Sequence, residues 1–392
     1  MKTSLAHAFD YQPVRLVRGK GSYVWDDKGK RFLDFIGGWC VATVGWKDQR
    51  MEKAIVRQAR KGFYIPALFS DPNQEAFARD LCRLAPGKMV RAIRATSGSE
   101  AVEFAIKCAR AATGKPTIVS IDGTWHGHTY GAASLGNACS KRMAPCLPGF
   151  IKLPLPTTEK KAAEVVKAFE RLCKTRKDIA AFMSEPIWTN AGCFVPPSDF
   201  YPKIEAICRK YGVLLVMDEV ATCMGRTGKM FGSDWWGIKP DVMCLGKSLT
   251  GGYATLAATL VTGAVWKKAE GIPVYATFGW LAQDLAAVRE NVRLILTDRL
   301  VENARRVGSI LLNELKPLEE HSHVKEVRGQ GMVFGIEFKK PVVDEMMRRL
   351  RQRGVLVASA SDKILFFSPP LSLSEREAKI GARIIREACS ES

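Results

Sequence analysis

Between about residues 90 and 265 the chain alternates near-continuous apolar segments with segments of helical periodicity. The apolar segments have the length of strands, and they lack the polar alternation of strands that face water on one side. Because strands buried on both faces read this way, the pattern predicts an α/β fold with a mostly parallel sheet between helices. The predicted strands are VRAIRAT, TIVSIDG, IAAFMSEP, VLLVMDEV, DVMCLG and LAATLVTG.

The segments outside this region have a different pattern. After residue 280 the chain becomes helical, and it ends in shorter helix and strand segments such as VRGQGMVFGIEF. No internal repeat and no Pro- or Ser-rich linker interrupts it. We therefore predict a large α/β domain over 46–285 and a smaller α+β domain assembled from 1–45 and 286–392.

Composition narrows the classes of protein. No apolar run is long enough to cross a bilayer, and the first residues lack the apolar core of a signal peptide. The eleven cysteines show no C-x-x-C spacing and no metal-like pairing with histidine. This pattern predicts reduced thiols, a cytoplasmic location and no bound metal.

The chain is strongly basic, with 59 Lys and Arg against 40 Asp and Glu and a formal net charge of +19. The excess is spread over several predicted helices and is not interleaved with aromatic residues, so a nucleic-acid-binding surface is not favoured. A basic surface would instead steer anionic substrates or dock an acidic carrier protein. Either role predicts activity that is sensitive to salt.

In sheets of this type ligands bind at the carboxyl ends of the strands, and four chemical features of the sequence fall there. The first is TSGSE, 96–100, where Ser97 and Glu100 have the spacing of a helix-capping box. Gly98 and Ser99 would then present backbone N–H groups at a helix N-terminus, which can bind a phosphate. Taken alone, the motif also fits a cap with no ligand.

The other three features are a loop, an acidic pair and a lysine. GTWHGHTYG, 123–131, offers Trp125 for stacking on a flat ring, although a packed loop tryptophan reads the same way. The carboxylates Asp218 and Glu219 end a buried strand and need a partner such as a protonated nitrogen. Lys247 follows DVMCLG, where an ammonium is costly unless it is paired, neutral or extended to water.

A phosphate cradle, a stacking aromatic, a buried carboxylate and a lysine at a strand end together describe a site for pyridoxal 5′-phosphate (PLP). The chain resembles the class III aminotransferases of fold type I over nearly its whole length. The motifs that carry the resemblance are WDDKGKRFLDFIGG, SGSEAVEFAIKCAR, WHGHTYGA, MDEVATCMGRTGKMFG, IKPDVMCLGKSLTGGY, ATFG, VRGQGMVFGIEF and FSPPL.

The resemblance implies a role for each cofactor-facing residue. Lys247 would form the Schiff base with PLP and afterwards move the substrate proton. Asp218 would pair with the pyridine nitrogen. Val220 would pack beneath the ring and Trp125 above it.

The resemblance also implies contacts at the phosphate and between subunits. Gly98 and Ser99 would hold the phosphate, and Thr277 of ATFG would reach the phosphate of the neighbouring subunit. The protein would therefore be a homodimer with shared active sites. Arg226 of GRTG and Glu219 are interpreted as structural, with Glu219 in a salt bridge.

Departures from the family pattern concern the substrate. Phe366 stands where members that act on α-amino or α-keto acids carry an arginine for the α-carboxylate. Asn190 replaces the glutamate that neutralises this arginine. Ala221 and Trp188 stand where two glutamines are common.

These changes give the predicted substrate pocket an aromatic and apolar character. Trp39, Trp188 and Phe366 are expected near its mouth, together with Glu185 of the EP pair. Such a pocket favours an amine, an amino ketone or a bulky apolar substrate. Binding of a carboxylate by another cation, for instance Lys363 or an arginine on a loop, stays open.

Three functions are compatible with the sequence. The first is an aminotransferase that moves an amino group from an amine or ω-amino compound to a keto acid or aldehyde by a ping-pong cycle. The second is an isomerase (a racemase, epimerase or aminomutase) or a decarboxylase on the same cofactor, because the fold alone does not separate these reactions. The third is a non-catalytic binding protein that keeps the fold, against which the intact pair of Lys247 and Asp218 argues.

Overall fold

The structure is a computed structural model that describes residues 12–61, 64–66, 68–69, 71–139 and 141–390. Most of the N-terminal stretch predicted to lack an export signal lies outside these residues. The strands are β1 (Leu16–Lys20), β2 (Tyr23–Asp26), β3 (Arg31–Asp34), β4 (Met89–Ala95), β5 (Thr117–Ile121), β6 (Phe150–Leu153), β7 (Ile179–Ser184), β8 (Leu214–Asp218), β9 (Val242–Leu245), β10 (Ala257–Thr262), β11 (Val324–Gln330), β12 (Val333–Phe338), β13 (Val355–Leu356), β14 (Ala358–Ser361) and β15 (Ile364–Phe367).

The helices cover the sheet faces and the chain ends. They are α1 (Gly37–Cys40), α2 (Gln49–Ala59), α3 (Pro72–Leu84), α4 (Gly98–Thr113), α5 (Tyr130–Leu135), α6 (Glu159–Thr175), α7 (Phe200–Tyr211), α8 (Gly263–Ala269), α9 (Ala282–Thr297), α10 (Leu300–Leu315), α11 (Val343–Gln352) and α12 (Glu375–Ser390).

The predicted sheet is confirmed, with seven strands in the order β4-β10-β9-β8-β7-β5-β6. The strands from β9 to β6 pair in parallel, and β10 is antiparallel to both of its neighbours. Strands β5 and β7 are buried at every residue, which is why their sequences lack polar alternation. The edge strand β6 was not predicted, because of its four residues two are half-buried, one is exposed and one is buried, which gives no clear strand pattern.

Helix α4 begins and ends where its sequence predicts. The Ser97 hydroxyl accepts the N–H of Glu100 at 3.2 Å, and Gly114 ends the helix in the left-handed conformation with φ +67°. The reciprocal half of the predicted box differs, because the Glu100 carboxylate accepts the N–H of Thr96 at 2.7 Å. The helix is thereby fixed with its N-terminus at the end of β4.

Two four-stranded sheets flank the large one, in the orders β1-β2-β3-β13 and β11-β12-β15-β14. Strand β13 pairs in parallel with β3, so residues 355 and 356 complete a sheet made of N-terminal strands. The division of the chain into two domains stays a prediction.

Arg226 connects these parts of the chain. It is fully buried, and its guanidinium donates to the carbonyl groups of Ala42, Met332, Ser368 and Pro369. Burial lowers its pKa from the usual value. The acceptors are all backbone carbonyls, which fits the structural role interpreted from the sequence.

The cysteines differ from the prediction at one place. Cys139 and Cys146 form a disulfide, so the prediction that all the thiols are reduced is wrong for this pair. Of the nine free cysteines, eight are buried, as expected for cysteines that pack as small apolar groups. Within the described residues, no helix is both long and apolar enough to span a bilayer. A cytoplasmic location stays a prediction.

Candidate functional site

Three predicted site segments converge on the side chain of Val220. Asp218 is the last residue of β8, and Lys247 follows the neighbouring strand β9 by two residues. A Cβ placed on Gly98 would lie 2.9 Å from Val220 Cγ1, and one on Gly246 would lie 3.3 Å from the same atom. The N-terminus of α4 and the lysine turn therefore both pack directly on Val220.

The N-terminus of α4 is covered by the loop that carries Trp125. The Ser99 hydroxyl accepts the N–H of His128 at 3.1 Å, and Gly127 lies so close to Ser99 that a Cβ there would be 2.4 Å from the hydroxyl oxygen. Trp125 is half-buried and meets His128 edge to face at 4.9 Å. Helix start and aromatic loop thus form one wall of the site.

Asp218 is paired with a histidine that the sequence did not single out. Its Oδ2 lies 2.6 Å from Nδ1 of His126, and both side chains are buried. The Thr124 hydroxyl donates its proton to the carbonyl of Ile121 at 2.6 Å, so it accepts from Nε2–H of His126 at 3.1 Å. His126 and Asp218 thus form a buried hydrogen-bonded pair, and the sequence signal for this pair was the HGH of the loop GTWHGHTYG.

Both oxygens of Asp218 are oriented by the protein. Oδ1 accepts the backbone N–H of Val220 at 3.1 Å, and Oδ2 is held by His126. A carboxylate has about four acceptor directions, so capacity remains for a further donor such as a pyridinium N–H. The predicted role of Asp218 is compatible with this geometry.

Glu185 is a second buried carboxyl group near this loop. It accepts the N–H groups of Trp125 at 3.1 Å and Thr189 at 3.2 Å. Burial raises its pKa, against the nearby charge of His126 and the hydrogen bond from Thr189. Its contacts connect the Trp125 loop to the segment after β7.

The salt bridge predicted for Glu219 is wrong. Its carboxyl group is fully buried and accepts neutral donors only, namely the Thr222 hydroxyl and the N–H groups of Gly232 and Ser233 together with the Ser233 hydroxyl. Burial raises its pKa, although these hydrogen bonds oppose the shift. Glu219 thus fixes the loop after β8 without a cation.

Lys247 occupies an unusual backbone conformation. Its side chain is half-buried and its φ is +42°, in the left-handed region that non-glycine residues rarely adopt. The turn is held from α9 by Asn291, whose amide donates to the carbonyls of Ser248 at 2.9 Å and Leu249 at 3.0 Å. The Ser248 hydroxyl donates to the carbonyl of Cys40 at 2.7 Å.

The segment that receives this hydrogen bond is itself strained. Gly37, Gly38, Trp39 and Cys40 all have φ between +55° and +64°. The left-handed conformation costs roughly 1–2 kcal/mol for each residue that has a Cβ. Gly37 is required, because a Cβ there would lie 2.1 Å from the carbonyl oxygen of Ser368.

The strained turn presents Trp39 to Phe366. The two rings stack at a centroid distance of 4.8 Å and an interplanar angle of 16°. Phe366 is fully buried, and Trp39 is half-buried. The apolar cluster around them contains Ile36, Cys40, Ile187, Cys193, Ala221, Val333 and Ala358.

The buried guanidinium in register with Phe366 is already neutralised. Across β12, Arg328 pairs with Gly335, and Gly335 pairs with Phe366, so the two side chains share one face of the sheet. The Arg328 guanidinium donates to the carboxylates of Glu326 and Glu337, each at 2.7 Å. Lys363, the cation considered from the sequence, is exposed on the turn between β14 and β15.

The place of Trp188 near the mouth of the pocket stays a prediction. It is fully buried in the core against Phe200, with ring centroids 5.5 Å apart, and its indole N–H donates to Ser184 at 3.0 Å. Asn190 is half-buried in the loop that follows.

Thr277 lies on the surface of the chain. The Tyr64 hydroxyl donates to its carbonyl at 3.0 Å. The Tyr64 ring also lies 6.0 Å from that of Phe278, and we call the exposed large apolar side chains of the segments 64–69 and 275–278 the aromatic patch. Its members, with their exposed fractions, are Tyr64 (42%), Leu68 (93%), Phe69 (65%), Tyr275 (66%) and Phe278 (62%).

These residues fit PLP. Gly98 lets the start of α4 pack directly on Val220, where its backbone N–H groups can bind a phosphate, and Asp218 retains acceptor capacity at the end of β8. A primary amine follows the adjacent strand, and a half-buried indole lies on the loop over the helix start. Among the described residues, no group of three or more His, Cys, Asp or Glu side chains is arranged to hold a metal ion.

Comparisons with known proteins agree with this geometry. The family model described as aminotransferase class III matches residues 5–389. Putrescine aminotransferase of Pectobacterium atrosepticum is 33% identical over 400 residues, which is 99% of this chain and 84% of that protein.

Solved structures of similar fold come from the same group of enzymes. An amine transaminase from an uncultivated Pseudomonas species, in its PLP-bound form, has a TM-score of 0.94 and 27% identity over 100% of this chain and 99% of that chain. The ω-transaminase of Pseudomonas jessenii in complex with PMP has a TM-score of 0.94 and 27% identity over 99% and 96% of the two chains.

Proposed function

Since the chain belongs to the class III aminotransferase family, we propose that its amino donor is an amine or ω-amino compound that lacks a carboxylate on the reacting carbon. The acceptor is a keto acid or aldehyde, and the two half-reactions follow a ping-pong cycle. The cofactor is PLP. The similar proteins named above are aminotransferases and transaminases, so the isomerase alternative is not favoured.

The roles of the site residues follow from their positions. PLP, when bound, supplies an electron sink for the bond that is broken at the substrate carbon. Lys247 carries the cofactor covalently, and its Nζ then moves a proton at the reacting carbon of the substrate. Asp218, oriented by His126, accepts from the pyridine nitrogen and favours its protonated form.

The contacts around the ring and phosphate complete the assignment. The N–H groups at Gly98 and Ser99 and the Ser99 hydroxyl would bind the phosphate, and Val220 and Trp125 would hold the ring. Glu185 fixes the Trp125 loop by accepting its backbone N–H.

The proposed class of amino donor rests on one observation, the stacking of Trp39 on Phe366. A substrate α-carboxylate at this wall would meet the half-buried Trp39 ring, backed by the fully buried Phe366, instead of a guanidinium, and it would lose hydration without gaining a partner. Arg328 on the same sheet face is bound to two glutamates. An amine without a carboxylate carries no such penalty.

We include a homodimer in this proposal. Thr277 lies between Tyr275 and Phe278 of the aromatic patch, and exposed apolar patches commonly mark protein interfaces. A second copy that covers the patch would bring Thr277 to the phosphate of its neighbour. Docking of an acidic carrier protein stays a prediction from the net charge.

The test is a half-reaction monitored by absorbance. Purified protein with its cofactor is mixed with one amino donor and no acceptor, using a carboxylate-free amine, an ω-amino acid or an α-amino acid. We expect the visible band of the lysine-bound cofactor to bleach with amines and not with α-amino acids. Lys247→Ala should lack both the band and turnover.

Two results would contradict the proposal. Bleaching by α-amino acids as efficient as that by amines would place a carboxylate site in the pocket. Exchange of the α-hydrogen of an amino acid with solvent, without loss of the band, would instead establish an isomerase.

A further inference from the structure

One buried hydrogen bond joins the two strained turns of the site. The Ser248 hydroxyl donates to the carbonyl of Cys40 at 2.7 Å, and both residues are fully buried. Ser248 directly follows Lys247, and Cys40 directly follows Trp39. The bond therefore connects the backbone of the cofactor lysine to the backbone of the aromatic wall.

Each turn is otherwise held from its far side. Asn291 holds the carbonyls of Ser248 and Leu249 and accepts, through its side-chain oxygen, from the Thr43 hydroxyl. The N–H of Cys40 is held by the Ser368 hydroxyl at 2.9 Å, two residues beyond Phe366. Asn291 thus also links the Lys247 turn to Thr43, three residues beyond Cys40, whereas the Ser248 hydroxyl makes the direct hydrogen bond between the Lys247 turn and the Trp39 turn.

The strained backbone gives this bond its consequence. Lys247, Trp39 and Cys40 have positive φ, and such conformations persist only where the surroundings over-determine them. Without the hydroxyl, the Cys40 carbonyl is left buried without this donor and both turns lose a restraint. A displacement of one turn is then passed to the other less directly, through Asn291 and Thr43.

We propose that Ser248 is a positioning residue that couples the Trp39–Phe366 stack to Lys247. An amine that packs against Trp39 would thereby change the backbone position of Lys247, the residue that carries the cofactor. The proposal rests on the proposed function, since it assumes that Lys247 holds PLP and that Trp39 contacts the donor.

The first test compares Ser248→Ala with Ser120→Ala. Ser120 is an equally buried serine whose hydroxyl donates to the carbonyl of Leu135 at 2.7 Å, away from both turns. Both substitutions should lower the melting temperature, because each removes one buried hydrogen bond. In Ser248→Ala alone, the pH midpoint of the visible cofactor band should shift by about 0.3–1 unit, the size of one such bond.

Donor selectivity is the second measurement. The ratio of kcat/KM for a linear diamine to that for a bulky aryl amine should change by about two- to tenfold in Ser248→Ala and stay at the wild-type value in Ser120→Ala. If Ser248→Ala does not fold, Ser248→Cys replaces the hydroxyl by a weak donor of similar shape and serves in its place.

A double-mutant cycle with Trp39→Gly decides the proposal. Glycine adopts positive φ without strain and removes the ring, so this change should shift the pH midpoint of the cofactor band when Ser248 is present. In the Ser248→Ala background the same change should shift the pH midpoint less, because the direct hydrogen bond from Ser248 to Cys40 is absent.

Equal shifts of the midpoint by Trp39→Gly in both backgrounds, or no shift in either, would overturn the coupling. In those cases the Lys247-bound band itself would remain, and the proposed function would stand. Absence of the band from the wild-type holoenzyme would instead remove the proposed function, and the coupling with it.

Discussion

Phe366 sets the chemical character of the substrate wall. Its ring is fully buried and stacks on Trp39, and in the proposed function this pair forms the wall that a donor meets. The side chain thus excludes charge through the cost of burying an unpaired carboxylate rather than by repulsion.

Substitution of this residue tests the wall directly. In Phe366→Arg, a guanidinium would stack on Trp39 and present donors to a carboxylate. We expect kcat/KM for α-amino acids to rise about tenfold or more, because a hydrogen bond to a charged group contributes about 1.5–3 kcal/mol. Phe366→Leu is the control, since it removes the ring without adding charge. Equal rates in the two variants would place the carboxylate elsewhere.

Asp218 has a buried partner, His126, that the sequence did not predict, and a substitution of Asp218 affects both side chains. In Asp218→Asn, the His126 ring loses the carboxylate that shares its proton, and the pyridine nitrogen loses an anionic acceptor. We expect single-turnover rates to fall by about a hundredfold or more, as when one preorganised electrostatic contact is removed from a site. Asp178→Asn, which removes a surface carboxylate paired with Arg176, should leave the rate unchanged. A wild-type rate in Asp218→Asn would refute the pairing with the pyridine nitrogen.

Residue types at strand ends could be predicted from the sequence, but their partners could not. Asp218 and Lys247 are found from the pattern of the strands they follow. The contacts of Asp218 with His126 and of Glu219 with Ser233 span 92 and 14 residues, respectively, and depend on how loops fold back. Burial of Trp188 in the core has the same origin.

At the scale of elements, the position of helix α4 depends on the absence of a Cβ at its first residue, Gly98. Gly98 has no Cβ, and Val220 fills the space that a Cβ would need. Periodicity predicted this helix and the central strands, because their apolar faces are continuous. It did not predict β6, which has only one fully buried residue among four and which forms a strand by pairing with β5.

Gly98→Ala tests this packing. The added Cβ would lie 2.9 Å from Val220 Cγ1, so the helix start or the valine must move. We expect cofactor affinity to fall about fivefold or more, because overpacking costs about 1–3 kcal/mol. Gly114→Ala at the other end of α4 has positive φ and open space around it, so it should lower stability without weakening the cofactor. If the affinity for the cofactor is unchanged in Gly98→Ala, the start of α4 does not bind the phosphate.

At the scale of the whole molecule, the aromatic patch is a surface that the described part of the chain leaves uncovered. Its side chains are 42–93% exposed, and two of them, Tyr275 and Phe278, lie in the segment that contains Thr277. If a second copy covers it, assembly and cofactor retention should depend on the same residues.

Phe278→Asp combined with Tyr275→Asp tests this dependence. Two carboxylates in a buried interface would lack partners, so we expect dissociation into monomers in sedimentation experiments and loss of bound cofactor on dilution. Val195→Asp changes an exposed apolar side chain outside the patch and should leave both properties intact. A double variant that still sediments as the wild type would contradict the dimer through this surface.

The hydrogen bonds of Arg226 also bear on the order in which a ribosome could assemble this site. Its acceptors belong to residues 42, 332, 368 and 369, so they leave the ribosome at widely separated times. Until Ser368 and Pro369 have been synthesised, a buried guanidinium would lack half of the carbonyls that replace its water. Until then, we expect the Arg226 guanidinium to stay hydrated. We also expect the turns that contain Trp39 and Lys247 to stay unfolded through most of translation.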